Sequence, residues 1–265
     1  MRRPTPSAWA AILLVVAASA SAEEIVTVSG RRGETQSYLL MHNAPPPKAV
    51  AILFPGGEGL MRLHTDAGVV KLQQGANFLI RTRGMFRDDE VAVAIVDSPS
   101  DQQRAGMDEG FRTGRAHVED ISAVVKDLRS RFPGAKIFLV GTSRGTLSAA
   151  YVGRALGDAV DGVALASTVF YGGRRGFGLS GFGFSSIKAP LLFVHHVHDR
   201  CPQCPYSDAE SLGRTFPLIS VSGGKPSESD PCEPLAAHGY FGVEEATVQA
   251  IKNWMLGRPF ARTVG

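Results

Sequence analysis

The stretch "KIFLVGTSRGTLSAA", residues 136–150, constrains the fold most. An apolar run from Ile137 to Val140 breaks into Gly141-Thr142-Ser143-Arg144-Gly145, and small residues follow. A buried strand that stops on a glycine, places a serine two residues later and closes on a second glycine can turn very tightly into a helix. The glycines have no side chains to clash, so strand and helix approach closely. The serine is then held in a strained conformation with its hydroxyl exposed above the sheet, and the helix that follows aims its N-terminal N–H groups at the same point. It is the only Gly-x-Ser-x-Gly pentapeptide among the 265 residues.

The rest of the chain supplies a sheet for that turn. Strands are expected at Ile25–Val28, Gln36–Met41, Ala49–Phe54, Val91–Val96, Ile137–Val140, Gly162–Ala166, Leu191–His195 and Leu218–Val221. Several are continuous Val/Ile/Leu/Ala runs, the pattern of strands buried on both faces of a parallel sheet. The first two read as a hairpin, with Gly33 near its turn. Between the later strands lie helices. In Ala116–Phe132, Val118, Ile121, Val125, Leu128 and Phe132 recur every three or four residues, which gives one apolar stripe, and Pro133-Gly134 ends it. Val243–Leu256 repeats the pattern and stops at Gly257. A third helix is expected within Asn77–Arg87. The order predicts one α/β domain over residues 23–265, with a mostly parallel central sheet of about eight strands and helices on both faces.

Residues 1–22 read as a signal peptide: Arg2 and Arg3, then the apolar Ala8–Ala18, then the small residues Ala20-Ser21-Ala22. The apolar run falls short of the roughly 20 residues that span a bilayer, so no stable membrane insertion is expected after cleavage. The expected location is the periplasm or the exterior. The two arginines supply two of the formal net charge of +3, so the mature chain is nearly neutral. With no long basic run, nucleic acid is not an expected partner.

A serine hydroxyl needs a base to take its proton and a carboxylate to orient that base. On a turn of this kind the partners follow in chain order, carboxylate and then histidine. In "PLLFVHHVHDRCP" a strand ends at His195 and Asp199 follows in the loop; Asp208 is the rival, at what reads as a helix start. Of seven histidines, only His238 lies beyond the last expected strand, just before the final helix. Acyl transfer also needs donors for an oxyanion. One is the backbone N–H of Arg144, the residue after the serine. The other belongs in the loop after the third strand, "FPGGEG", where Gly57 is the choice and Gly56 its neighbour.

With these residues in place the chain resembles the α/β-hydrolase superfamily, from the third strand to the last helix. More narrowly, "FPGGEG", "GTSRGT", "VHHVHDRC" and "DPCEPLAAHGY" look like a group of exported bacterial α/β hydrolases. The resemblance implies an α/β-hydrolase fold and a Ser143–His238–Asp199 triad. Many lipases and esterases carry His-Gly-Gly-Gly at the oxyanion loop, where this chain has Phe-Pro-Gly-Gly-Glu-Gly. The region that often carries a lid holds only residues 171–185, "YGGRRGFGLSGFGFS", so no large cap domain is expected. That stretch reads as a surface loop or as a mobile flap offering Phe177, Phe182 and Phe184 to an apolar substrate.

Export permits a disulfide among Cys201, Cys204 and Cys232. Cys201 is two residues past Asp199 and Cys232 six before His238, so a Cys201–Cys232 bridge would tie the acid loop to the base loop. Cys204–Cys232 and Cys201–Cys204 are the other pairings. The expected activity is that of a serine hydrolase on small carboxylic esters, without cofactor or metal. His195, His196 and His198 crowd together, but neighbouring strand residues point to opposite faces and do not easily share an ion. A serine peptidase is the second enzymatic reading. A non-catalytic binding protein on the same scaffold is the rival from another class.

Overall fold

The computed structural model describes residues 22–173 and 176–265. The expected signal segment lies outside them, apart from Ala22, which opens the first strand. The strands are β1 (Ala22–Ser29), β2 (Thr35–His42), β3 (Ala49–Phe54), β4 (His64–Asp66), β5 (Val69–Lys71), β6 (Val91–Val96), β7 (Lys136–Thr142), β8 (Gly162–Ala166), β9 (Leu191–His196), β10 (Leu218–Val221) and β11 (Thr263–Val264). The α-helices are α1 (Phe78–Arg81), α2 (Arg83–Phe86), α3 (Glu109–Thr113), α4 (Arg115–Arg131), α5 (Gly145–Leu156), α6 (Tyr206–Leu212) and α7 (Glu244–Met255).

Nine strands form one sheet in the order β1-β2-β6-β3-β7-β8-β9-β10-β11. The hairpin β1–β2 joins β6 antiparallel, and every pairing from β6 to β11 is parallel. The expected eight strands are all present. The ninth, β11, is two residues long and adds an edge after the last helix, too short a run to carry a sequence pattern. Beside the sheet stands the small antiparallel ribbon β4–β5. Its turn places Ala67 and Gly68 at φ 47° and 78°, the left-handed pair that a tight hairpin requires.

The continuous apolar runs are explained by two-sided burial. All six residues of β3 are buried. Val50, Ile52 and Phe54 face one core, while Ala49, Ala51 and Leu53 face the other. The first core is covered by α4, α5 and α6 through Ile121, Leu128, Leu147, Val152 and Ala209. The second is covered by α1, α2 and α7 through Phe78, Phe86, Val248, Ile251 and Met255. The α4 stripe includes Val124 and the fully buried His117, and leaves Val118 and Phe132 only partly covered. The helix expected within Asn77–Arg87 is two single turns. Thr82 separates them, its hydroxyl donating to the Phe78 carbonyl at 2.7 Å instead of facing water.

Because β3, β7, β8 and β9 are parallel, their C-terminal ends open on the same edge of the sheet. The loop 55–59, Ser143, Ser167 and Asp199 follow those four ends. That edge is where open α/β sheets hold ligands.

Candidate functional site

Ser143 follows the last residue of β7 with φ 51°, in the left-handed region that costs a non-glycine residue on the order of 1–3 kcal/mol. Its N–H donates to the Ala166 carbonyl at 3.0 Å, pinning the turn to β8. The two glycines of the pentapeptide are demanded by contact. A Cβ on Gly141 would sit 2.5 Å from the Gly145 carbonyl oxygen, and one on Gly145 would sit 2.0 Å from that of Phe54. The strained serine thus persists because β3, β7 and α5 leave the turn no other room.

Asp199 and His238 come together from distant parts of the chain. His238 Nδ1 lies 2.9 Å from Asp199 Oδ2, and both side chains are at least nine-tenths buried. The other carboxylate oxygen accepts the Cys201 N–H at 2.9 Å. With Nδ1 protonated toward the carboxylate, Nε2 is the free lone pair; it is buried and has no hydrogen-bond partner among the described residues. Ser143 and His238 line the same cleft without being hydrogen-bonded to each other. Such bonds are often loose in an empty site and tighten around substrate. Asp208, the alternative carboxylate, sits in α6 against the Tyr171 hydroxyl and does not line this cleft.

The cleft has a volume of about 470 Å³. Its walls include Glu58, Gln74, Asn77, Gln203 and Glu233, a polar set, with Phe78 as the large apolar exception. Gly56 and Gly57 line the cleft with the serine, and Gly57 has φ 56°. A Cβ on Gly56 would come within 3.0 Å of the Ser143 Cβ. The N–H groups of Gly56, Gly57 and Arg144 donate to no group among the described residues. The Arg144 side chain turns away to acidic neighbours, 2.9 Å from Glu109 Oε1 and 3.4 Å from Glu58 Oε1.

Cys201 and Cys232 form a disulfide, and both line the cleft. Cys204 is a free, buried thiol whose pKa is raised by burial and by the nearby Asp199. Sγ of Cys201, Sγ of Cys204 and a ring nitrogen of His238 all lie within 4.8 Å of one another, but Cys201 spends its sulfur on the bridge. In the chain-entropy model, closing a loop of this length contributes about 3–4 kcal/mol. Cys232→Ser is therefore expected to lower the unfolding free energy by that amount in a urea titration, and to reduce turnover more than the folded fraction falls.

The histidine cluster divides as strand geometry requires. His195 Nε2 accepts the Thr168 N–H at 2.8 Å on one face, and burial pushes its pKa down to about 3. His196 turns to the other face, with Nε2 3.1 Å from the Gly223 carbonyl oxygen and Nδ1 accepting the His198 N–H.

The fold bears on the site as well. No family model matches the chain, and no curated protein matches it. Solved structures do. Est1E from Butyrivibrio proteoclasticus is 15% identical with a TM-score of 0.61, over 88% of this chain and 98% of that one. Est1E has also been solved with ferulic acid bound, at 14% identity and a TM-score of 0.58, over 88% and 98%. An α/β serine hydrolase without a lid from Xanthomonas campestris is 16% identical with a TM-score of 0.57, over 89% and 97%. The chain has the α/β-hydrolase fold. Among the described residues, no large cap domain covers the C-terminal edge of the sheet.

Within this α/β-hydrolase fold, part of the glycine- and phenylalanine-rich stretch is neither an open surface loop nor a flap over the cleft. Phe184 is buried against Phe193, Phe182 and Phe216, and Phe182 packs at a tilt against Tyr151 under Arg154. Neither lines the cleft. Leu179 and Ser180 donate their N–H groups to Val169 and Phe170, so this part of the loop is tied down and its rings fill core. Phe177 is exposed, on a hollow shared with Arg144 and Gln203 at the cleft margin. Residues 174–175 lie outside the described residues.

Three residues that hold His238 carry no sequence signal of their own. Ser167, at φ 47°, donates to the His238 carbonyl at 2.7 Å. Tyr240, at φ 60°, donates its hydroxyl to the Val194 carbonyl at 2.7 Å. Arg81 reaches from α1 to the Gly239 carbonyl and is 2.9 Å from Glu244.

Proposed function

We propose that this protein is a serine hydrolase that cleaves small carboxylic esters through an acyl-enzyme. The observation that carries the reading is Ser143, held left-handed at the head of α5, on a cleft it shares with a His238 already paired to Asp199. Ser143 Oγ attacks the ester carbonyl while His238 Nε2 takes its proton. Asp199 keeps the imidazole in the tautomer that leaves Nε2 free, and stabilises the imidazolium as it forms. The N–H groups of Gly57 and Arg144 receive the oxyanion, at the N-terminus of α5 where the helix dipole adds to them. His238 then protonates the leaving alcohol, and water reverses the sequence to release the acid.

The polar walls and open edge favour short acyl groups on polar alcohols over long lipid chains. A buried alkyl chain gains about 0.8 kcal/mol per CH₂ only where the wall is apolar, and Phe78 is the one large apolar side chain in this cleft. The disulfide supports a place in an oxidising compartment such as the periplasm or the exterior.

Fluorophosphonate labelling of the purified protein, read by intact mass, tests the reading. One adduct on wild type and none on Ser143→Ala is expected, with p-nitrophenyl acetate turned over faster than the octanoate. A folded wild type that takes no label would overturn the reading and favour a binding protein on the same scaffold.

A further inference from the structure

Arg112, on α3, has no exposed surface and is the largest fully buried side chain among the described residues. A buried cation is expensive and normally sits on a carboxylate. Arg112 forms no ion pair among the described residues. Its Nη1 donates to Ser148 Oγ at 2.9 Å, and its Nη2 donates to the carbonyls of Pro55 and Gly57 at 3.3 and 3.1 Å. Burial and the nearby Arg144 pull its pKa down to about 9, with Glu109 and Glu58 pulling the other way, so it remains a cation at neutral pH.

The two carbonyls flank the loop that carries the oxyanion donor. Every carbonyl from Pro55 to Gly59 is held: Pro55 and Gly57 by Arg112, Gly56 by the Gly59 N–H, Glu58 by the Met107 N–H, and Gly59 by Ser98 Oγ. A peptide unit is planar and trans, so its N–H points opposite to its C=O. The Pro55 carbonyl on Arg112 therefore fixes the direction of the Gly56 N–H, and the Gly57 N–H lies in the next peptide unit, whose carbonyl is held by Gly59 between the two that Arg112 grips. The loop is moulded onto the guanidinium, since a Cβ on Gly59 would lie 2.6 Å from Nη2.

We propose that Arg112 is a positioning residue of the oxyanion loop, fixing its peptide planes and placing a desolvated positive charge beneath the site where negative charge develops. This rests on the serine-hydrolase reading. The planar fork grips two carbonyls and a hydroxyl at once, which an ammonium does not reproduce. The charge acts in a water-poor setting, where fixed electrostatics count most.

The test compares Arg112→Gln, which removes the charge, with Arg112→Lys, which keeps the charge and loses the fork. Turnover of a short ester is measured per site titrated by fluorophosphonate, so misfolded protein drops out. In Arg112→Gln, kcat is expected to fall about 10²-fold, the scale of losing an oxyanion donor, with KM within threefold. Affinity for a phenylboronic acid, which forms an anionic tetrahedral adduct on serine, falls in parallel. Arg112→Lys recovers part of both. Should Arg112→Gln fail to fold, Ser148→Ala removes one anchor and is expected to give a smaller loss with the same kcat-only signature. Unchanged kcat and boronate affinity in the titrated variants would overturn the proposal, as would a rise in KM at constant kcat. Absence of any label on wild type would instead remove the serine-hydrolase reading.

Discussion

Asp199→Asn is expected to lower ester turnover by about 10⁴-fold while the protein stays folded. The carboxylate accepts from His238 Nδ1 through Oδ2 and from the Cys201 N–H through Oδ1, so its orientation is fixed on both sides. An amide in the same place can present its NH₂ to the imidazole. That drives the ring proton to Nε2, the nitrogen that must take the serine proton, and a wrong tautomer on this scale is a known cost in triads. Steady-state rates for wild type, Asp199→Asn and Ser143→Ala, with circular dichroism to verify folding, check the assignment. If Asp199→Asn keeps more than a tenth of wild-type turnover, Asp199 is not the orienting acid. Asp208, bonded to Tyr171 away from the cleft, is expected to tolerate Asn without effect.

Gly145→Ala is expected to destabilise the fold by about 3 kcal/mol or more, at the upper end of overpacking costs. The added methyl would lie 2.0 Å from the Phe54 carbonyl oxygen, 2.8 Å from its carbon and 2.9 Å from the Pro55 oxygen. All three are backbone atoms of a central strand and of the start of the 55–59 loop, so none can swing aside. A loss of this size lowers the melting temperature by about 6–12 °C in a domain of this length. Gly84→Ala is the control. It lies in α2 with nothing within 4 Å of the new Cβ, and is expected to be neutral or slightly stabilising. Equal melting temperatures for the two variants would mean that the close packing of α5 on β3 does not govern stability.

What could be read ahead of the structure follows from what is local. The strands of the sheet were legible because two-sided burial writes an unbroken apolar run. Gly141, Ser143 and Gly145 were legible because one tight turn demands all three. The meeting of Asp199 with His238 was legible through chain order, and the Cys201–Cys232 pairing through their closeness to those two residues. Arg112, Ser167 and Arg81 were not, because each acts on a backbone carbonyl far along the chain, and a carbonyl has no letter in the sequence. Phe182 and Phe184 misled for the opposite reason. Glycine-rich surroundings look mobile, yet here some glycines permit close packing: a Cβ on Gly178 would strike the Phe170 carbonyl at 2.3 Å.

The three cysteines also set an order of events. In an unfolded chain Cys201 and Cys204 are three residues apart, and they meet far more often than Cys201 and Cys232, whose separation is 31. Random oxidation would favour the short pair. The native pairing arises where the fold has already placed Cys204 out of solvent and brought the two loops together. A Cys201–Cys204 bond formed before the sheet collapses would leave Cys232 as the free thiol, and exchange with it is the route back to the Cys201–Cys232 pairing.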